Sequence, residues 1–278
     1  MSDDTVLVLG ATGKTGRRLV PRLRLRGLSE RAASRSSATV FDWSDPTGWN
    51  AALRGAGAVY IVPPAVPGPV HDFVALAEAA GVRRLVLLSG HGADTWGDSE
   101  FGLDMRSAED AVRGSALEWT VLRAANFDQN FDEENFHAPL VAGELALPAG
   151  AVPEPFIDID DVADVATAVL TEPGRHTGRV YELTGSRALT FAEAVELISR
   201  ASGLPITYRQ ISVVEYAAAL LDQGLSRAAA HNVAEMFVMM ERGLIAGATA
   251  DVATVLGRAP RTFEDYVVRA AAAGAWRP

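Results

Sequence analysis

Three glycines spaced three residues apart, Gly10, Gly13 and Gly16, follow the uncharged run Thr5-Val-Leu-Val-Leu9 and precede Arg17-Arg18-Leu19-Val20. Glycine is the residue type for backbone that must turn tightly or lie close to another group. Gly10 suits the turn, Gly13 a close approach to a ligand, and Gly16 the packing of a following helix against the strand. Thr12, Lys14 and Thr15 fall between them, at a helix start whose unpaired N–H groups and positive dipole end would seat a pyrophosphate. The apolar run before the glycines reads as a buried parallel strand, and strand, glycine turn and helix together give this spacing its meaning as a dinucleotide seat.

Further residues with chemistry fall where later strands would end. An acid about 20 residues past the glycines would bind the adenosine ribose and select NAD. The second strand, near 31–35, ends instead in Ser34, Arg35 and Ser36, a guanidinium between hydroxyls that suits the 2′-phosphate of NADP(H) and leaves NAD(H) open as a second cofactor. The stretch 38–43 predicts a third strand carrying Asp42 and Trp43 towards the adenine; Asp42 has the alternative of capping the turn at Asp45-Pro46. The fourth strand, Ala58–Val62, is stopped by Pro63 and Pro64, so Val62, Pro63 and Pro64 lie at the edge where ligands of open α/β sheets bind. The fifth, 82–90, brings Ser89 to that edge, with His91 two residues beyond; these two are the protic side chains placed for catalysis, the alternatives being water or the substrate itself as proton source and His91 as a loop histidine in solvent.

Past a sixth strand, Glu118–Arg123, the stretch 124–131 mixes amides with aromatics as a pocket wall would, and it supplies Asn126, Phe127 and Asn130. Phe156, a further residue expected on the substrate side, ends a proline-punctuated stretch, 139–156, predicted as a loop. In a helix predicted over 226–242, Val233, Met236, Phe237 and Met240 recur at helical spacing, which core packing explains and which a flexible apolar lid over a hydrophobic ligand would use through Met236 and Met240. Asp158, Asp160, Asp161 and Asp164 gather at a helix start, where the dipole favours acids, and no metal is expected from them.

Positioning these residues calls for helices near 46–55, 69–81 and 104–114, a loop from His91 to Phe101, a strand at 179–184, and a helix opened by the Thr190–Glu193 capping box and running to about 201. A helical remainder follows. Alternation of strand and helix predicts an α/β, Rossmann-type doubly wound parallel sheet with right-handed crossovers. Residues 1–123 would form the dinucleotide-binding core, and 124–278 a smaller, mostly helical substrate-binding part interleaved with the remaining strands.

The apolar fraction of 49% in 278 residues supplies a sizeable core, and the absence of cysteine removes disulfides, thiolate metal sites and a thiol nucleophile. No apolar run is long enough for a membrane span, and the start Met1-Ser-Asp-Asp lacks a leader pattern, so the expectation is a cytoplasmic protein, monomer or homodimer, away from membranes. The net charge of −10 is uneven: residues 1–36 carry +5, which leaves −15 for the rest. That surface repels nucleic acid and draws a small phosphate-bearing ligand to one end.

The motifs Val-Leu-Gly-Ala-Thr-Gly-Lys-Thr-Gly16, Ala-Ser-Arg-Ser36, Phe41-Asp-Trp-Ser-Asp-Pro-Thr-Gly-Trp49, Val59-Tyr-Ile-Val-Pro-Pro64 and Pro260-Arg-Thr-Phe-Glu-Asp-Tyr266 resemble the short-chain dehydrogenase/reductase superfamily. Within it they look most like the atypical NmrA-like branch and its festuclavine dehydrogenase-like, ergot-alkaloid subgroup. Superfamily members pair a serine with Tyr-x-x-x-Lys on the next helix; here Phe101 and Met105 occupy those positions, so both become pocket residues and Ser89 alone survives. The resemblance implies an NADPH-dependent reductase of a hydrophobic substrate lacking the usual Tyr/Lys pair. An aromatic polyketide ketone or quinone, as for angucyclinone (simocyclinone-type) ketoreductases of antibiotic biosynthesis, is the leading substrate class. The alternatives are an alkaloid-type imine reductase and an NmrA-like redox sensor without catalysis.

Overall fold

The computed structural model describes residues 5–64, 66 and 68–277. The initial Met1-Ser-Asp-Asp, including two acids counted in the charge of the first 36 residues, lies outside them.

The first half of the chain alternates as expected: β1 (Thr5–Leu9), α1 (Gly16–Leu25), β2 (Glu30–Ser34), β3 (Thr39–Val40), α2 (Trp49–Leu53), β4 (Ala56–Ile61), α3 (Pro69–Ala79), β5 (Arg84–Gly90), α4 (Glu100–Arg113) and β6 (Glu118–Ala124). The second half adds α5 (His137–Val141), β7 (Glu144–Leu147), α6 (Ile159–Thr171), β8 (Arg179–Leu183), α7 (Phe191–Ser202), β9 (Thr207–Gln210), α8 (Val213–Asp222), α9 (Arg227–Met240), α10 (Asp251–Leu256) and α11 (Phe263–Ala272). Seven strands form one parallel sheet in the order β3-β2-β1-β4-β5-β6-β8, and the reversal of direction beside β1 makes it doubly wound.

Alternation along β1 sends successive side chains to opposite faces. Val6 and Val8 join the layer containing Leu19 and Leu23 of α1 and Val162, Val165 and Val169 of α6, while Leu7 and Leu9 join Trp49, Phe73 and Val112. A third core, built around Phe131, Phe156, Phe191, Phe237 and Trp276, holds the C-terminal helices together. The Thr190–Glu193 capping box is present at the start of α7.

Four expectations change. The third strand shrinks to two residues because Asp42 accepts from the Ser44 N–H and hydroxyl, at 2.8 and 2.7 Å, and turns the chain. The stretch 139–156 contains β7, in the proline-free window between Gly143 and Pro148, and β7 pairs in parallel with β9, a strand inside the region expected to be helical. Helix α4 begins earlier than residue 104, since the Ser99 hydroxyl accepts from the Gly102 N–H at 3.1 Å and caps it, which places Phe101 in its first turn. The basic N-terminal segment is largely neutralised: Arg18 pairs with Glu133, Arg22 with Asp160 and Asp164, and Arg24 with Glu30.

Candidate active site

The glycine turn has the shape its spacing implies. Gly10 adopts φ +65°, the left-handed region, and a Cβ on Gly16 would lie 2.3 Å from the Gly10 carbonyl oxygen, so only glycine lets α1 start this close to the end of β1. At Gly13 a Cβ would stand 3.2 Å from the same oxygen. The backbone N–H groups of Thr12, Lys14 and Thr15 make no hydrogen bond among the described residues. These unpaired donors at a helix start fit a dinucleotide pyrophosphate. Val62 sits against the turn, 3.5 Å from a Cβ built on Gly10.

At the far side of the turn, Ser34 and Ser37 share a hydrogen bond of 2.7 Å, and Ser34 also accepts from the Ser36 N–H. Arg35 is exposed and in no ion pair among the described residues; its charge helps hold the Asp42 carboxyl below the usual range, behind the larger effect of the Ser44 hydrogen bonds. Trp43, half-buried, packs its ring edge-on against Phe41, Trp49 and Phe73, and its Nε1–H donates to the Val62 carbonyl at 3.0 Å.

Strand register assembles the centre. Ser89 on β5 lies beside Arg123 on β6, and Arg123 beside Glu182 on β8, three neighbours at one level of the sheet. Glu109, from α4, accepts from Ser89 Oγ at 2.7 Å and from both Arg123 Nε and Nη2 at 2.8 Å. Arg123 Nη1 donates to Glu182 Oε1 at 2.8 Å, and Glu182 Oε2 lies 2.6 Å from His91 Nδ1. Burial opposes the charge on Arg123, but its bonds to Glu109 and Glu182 outweigh that and raise its pKa. Burial likewise pushes Glu182 up, and His91, Arg123 and the Gly92 N–H together pull it below the usual carboxylate range. The Ser89 proton is committed to Glu109, whereas His91 Nε2 has no hydrogen-bond partner among the described residues.

A cavity of about 360 Å³ opens over this edge. Ser89 and His91 line it together with Phe101, Met105, Asn126, Phe127, Asn130 and Met236, and it reaches the glycine turn through Lys14, Pro63 and Pro64. Lys14 is drawn away from the turn towards this wall: its ammonium donates to Asn130 Oδ1 at 2.6 Å, pairs with Glu134 at 2.8 Å and stands 5.7 Å over the Phe127 ring. Phe101 packs edge-on against Trp96, with centroids 5.0 Å apart.

Two expected substrate residues lie elsewhere. Phe156 is buried among Phe131, Phe191 and Phe263, and Met240 is buried in the same core; neither lines the cavity. Helix α9 turns Met236 to the cavity and Met240, one turn on, inward. Conversely, sequence reading overlooked Trp96 and Ile245 in the lining, and gave Arg123 and Glu182 no role. A signal for the last two exists, since each is a charged residue near the end of an otherwise apolar or neutral stretch of strand.

Residues 10–173 match a protein family described as NAD(P)H-binding. The chain is 31% identical to an NAD(P)H azoreductase of Xenophilus azovorans, over 96% of this chain and 98% of that one. It is also 31% identical to a festuclavine dehydrogenase of Aspergillus fumigatus, with 94% and 96% covered. Among solved structures, the NADPH-dependent quinone oxidoreductase of Escherichia coli complexed with NADPH superposes with a TM-score of 0.82 at 24% identity, covering 95% of this chain and 99% of that one.

Proposed function

The chain belongs to the NAD(P)H-binding family, with the atypical short-chain dehydrogenase/reductase, NmrA-like fold, and is an NAD(P)H-dependent oxidoreductase; from that premise we propose that it reduces a carbonyl of a hydrophobic polycyclic aromatic compound, a ketone or quinone of the polyketide type, with His91 as proton donor. The observation that carries this reading is the cavity itself. Phe101, Met105, Phe127 and Met236 wall it with aromatic and thioether side chains, directly over the Ser89–His91 edge of the sheet.

Residues 1–123 carry the cofactor seat, while the substrate side is shaped by Phe101 and Met105 of that part together with Asn126, Phe127, Asn130 and Met236 from 124–278, whose β8 completes the sheet. Gly10, Gly13 and Gly16 with the Thr12, Lys14 and Thr15 N–H groups would hold the pyrophosphate, and Ser34, Arg35 and Ser36 the 2′-phosphate. When bound, the reduced nicotinamide supplies a hydride to the substrate carbon. The carbonyl electron pair then moves to oxygen, which must take a proton. Glu182, ionised and therefore acceptor-only, keeps a proton on His91 Nδ1; the donating form of the ring carries a second proton on Nε2, which faces no other partner among the described residues and is free to donate. Ser89 offers lone pairs, its own proton being given to Glu109. Azo and quinone groups, for which two of the similar proteins are named, are conjugated electrophiles of the shape such a wall accepts.

The test is the loss of NADPH absorbance with purified protein across polycyclic quinones and ketones, cyclic imines and azo compounds, alongside calorimetric titration of NADP and NAD. Turnover confined to quinones or ketones supports the reading. Turnover of imines alone would replace it with an alkaloid-type imine reductase.

A further inference from the structure

Glu154 lies behind the cavity and takes no part in the proton path above. It is 2% exposed, and its backbone is fixed by an antiparallel bridge with Leu189, with N–H to carbonyl distances of 2.8 and 2.9 Å in the two directions. Its Oε2 accepts from Asn126 Nδ2 at 2.9 Å, while Oε1 is buried with no hydrogen-bond partner among the described residues. Asn126 is anchored by its own carbonyl, which accepts from the Ile157 N–H at 2.9 Å, and its side chain lines the cavity.

The two ends of an asparagine amide have nearly the same shape and opposite hydrogen-bonding character. An ionised Glu154 can only accept, so it draws the NH₂ end of Asn126 to itself and leaves the carbonyl end for the cavity. A neutral Glu154 carries an O–H that can donate to Asn126 Oδ1, and the amide then turns its NH₂ end to the cavity. We propose that Glu154 is a positioning residue whose charge selects which end of the Asn126 amide meets the substrate: the donor end, suited to a ketone or quinone oxygen, when the acid is neutral, and the acceptor end when it is ionised. The substrate half of this statement rests on the carbonyl reading of the site.

Both forms exist near neutrality. Burial pushes Glu154 up to about 7, with Asn126 and His91 pulling it back. The groups that act on it are the amide of Asn126 and the charge of His91, which is itself paired with Glu182 and through it with Arg123; Leu189 contributes its backbone.

The test uses the full chain with ¹⁵N-labelled asparagine, the Asn126 side-chain signals being assigned by their loss in Asn126→Asp. They should shift through a midpoint near neutrality as pH rises, stay fixed in Glu154→Gln, and shift at a higher midpoint in His91→Asn, which removes a charge holding the acid down. An Asn126 amide that does not respond to pH in the wild type, or a midpoint unmoved in His91→Asn, overturns the proposal even if Glu154→Gln fails to fold. In the same pH range KM for a turned-over quinone should rise roughly fivefold in the wild type, the worth of one neutral hydrogen bond, and stay flat in Glu154→Gln. An amide that titrates beside a KM that does not change leaves the Glu154–Asn126 pairing standing and overturns the oxygen substrate instead.

Discussion

His91 Nδ1 lies 2.6 Å from Glu182 Oε2, and the Gly92 N–H donates to the same oxygen at 3.0 Å. Imidazole and carboxylate are thus locked in one orientation by the turn that ends β5, and the proton on Nδ1 is fixed by an acceptor that cannot give one back. Replacing the ring should therefore affect chemistry and not cofactor binding. His91→Asn is expected to lower kcat by about 10²- to 10⁴-fold, the usual worth of a positioned general acid, while the calorimetric affinity for NADPH stays put. A comparable loss of NADPH affinity would assign the ring to the cofactor seat instead.

Arg35 separates the two dinucleotides. It is exposed, free of ion pairs among the described residues, and flanked by hydroxyls, whereas Arg18, Arg22 and Arg24 are occupied by acids. Arg35→Ala should weaken NADPH by roughly tenfold or more, the scale of a lost charge-assisted hydrogen bond, and leave NADH nearly unchanged. Equal losses for both would remove the 2′-phosphate from this corner.

The ion pair between Arg123 and Glu109 is buried on both sides, at 5% and 2% exposure, and bidentate at 2.8 Å. Removing one partner leaves the other charge stranded in the interior. Arg123→Met should cost about 3–5 kcal/mol in urea unfolding, and adding Glu109→Gln should recover a large part of it, because the uncompensated charge is then gone. Additive losses in the double variant would place the stability in packing and not in the charges.

Where local chemistry decided the structure, the sequence was legible. The strand, glycine turn and helix at 5–25, the proline stop at Pro63-Pro64 and the Thr190–Glu193 box are each specified by residues close together in the chain, and the structure has all three. Asn126, Phe127 and Asn130, with the Phe101 and Met105 positions, also come to the cavity. What could not be read depended on partners far away in sequence. Met236 and Met240 differ only in which way α9 turns them. Ser89 looks like a free hydroxyl until Glu109, 20 residues on, takes its proton. Strand β7 exists because β9, 60 residues later, supplies its pairing. Glu154 sits in a stretch whose prolines announce a loop, and nothing local marks it as buried beside an active-site amide.

A buried acid outside the site gives a pH-dependent prediction. Asp128 is 0% exposed and neither carboxyl oxygen has a hydrogen-bond partner among the described residues. Burial, and then the nearby Asp158 and Asp161, hold its pKa well above the ordinary 3.8, with Arg269 opposing. A pKa raised in the folded state means that the folded chain keeps a proton which the unfolded chain has released. The stabilisation this gives is full below the unfolded pKa and is lost as pH rises towards the folded one. Asp128→Asn cannot ionise in either state, so it escapes that loss. Urea unfolding should show the variant gaining on the wild type by up to about 1.4 kcal/mol per pH unit as pH rises from about 4, until the folded carboxyl itself titrates. Stability curves that run parallel across this range would mean that Asp128 ionises in the folded chain as easily as in the unfolded one, and that a partner for its charge lies in the space around it.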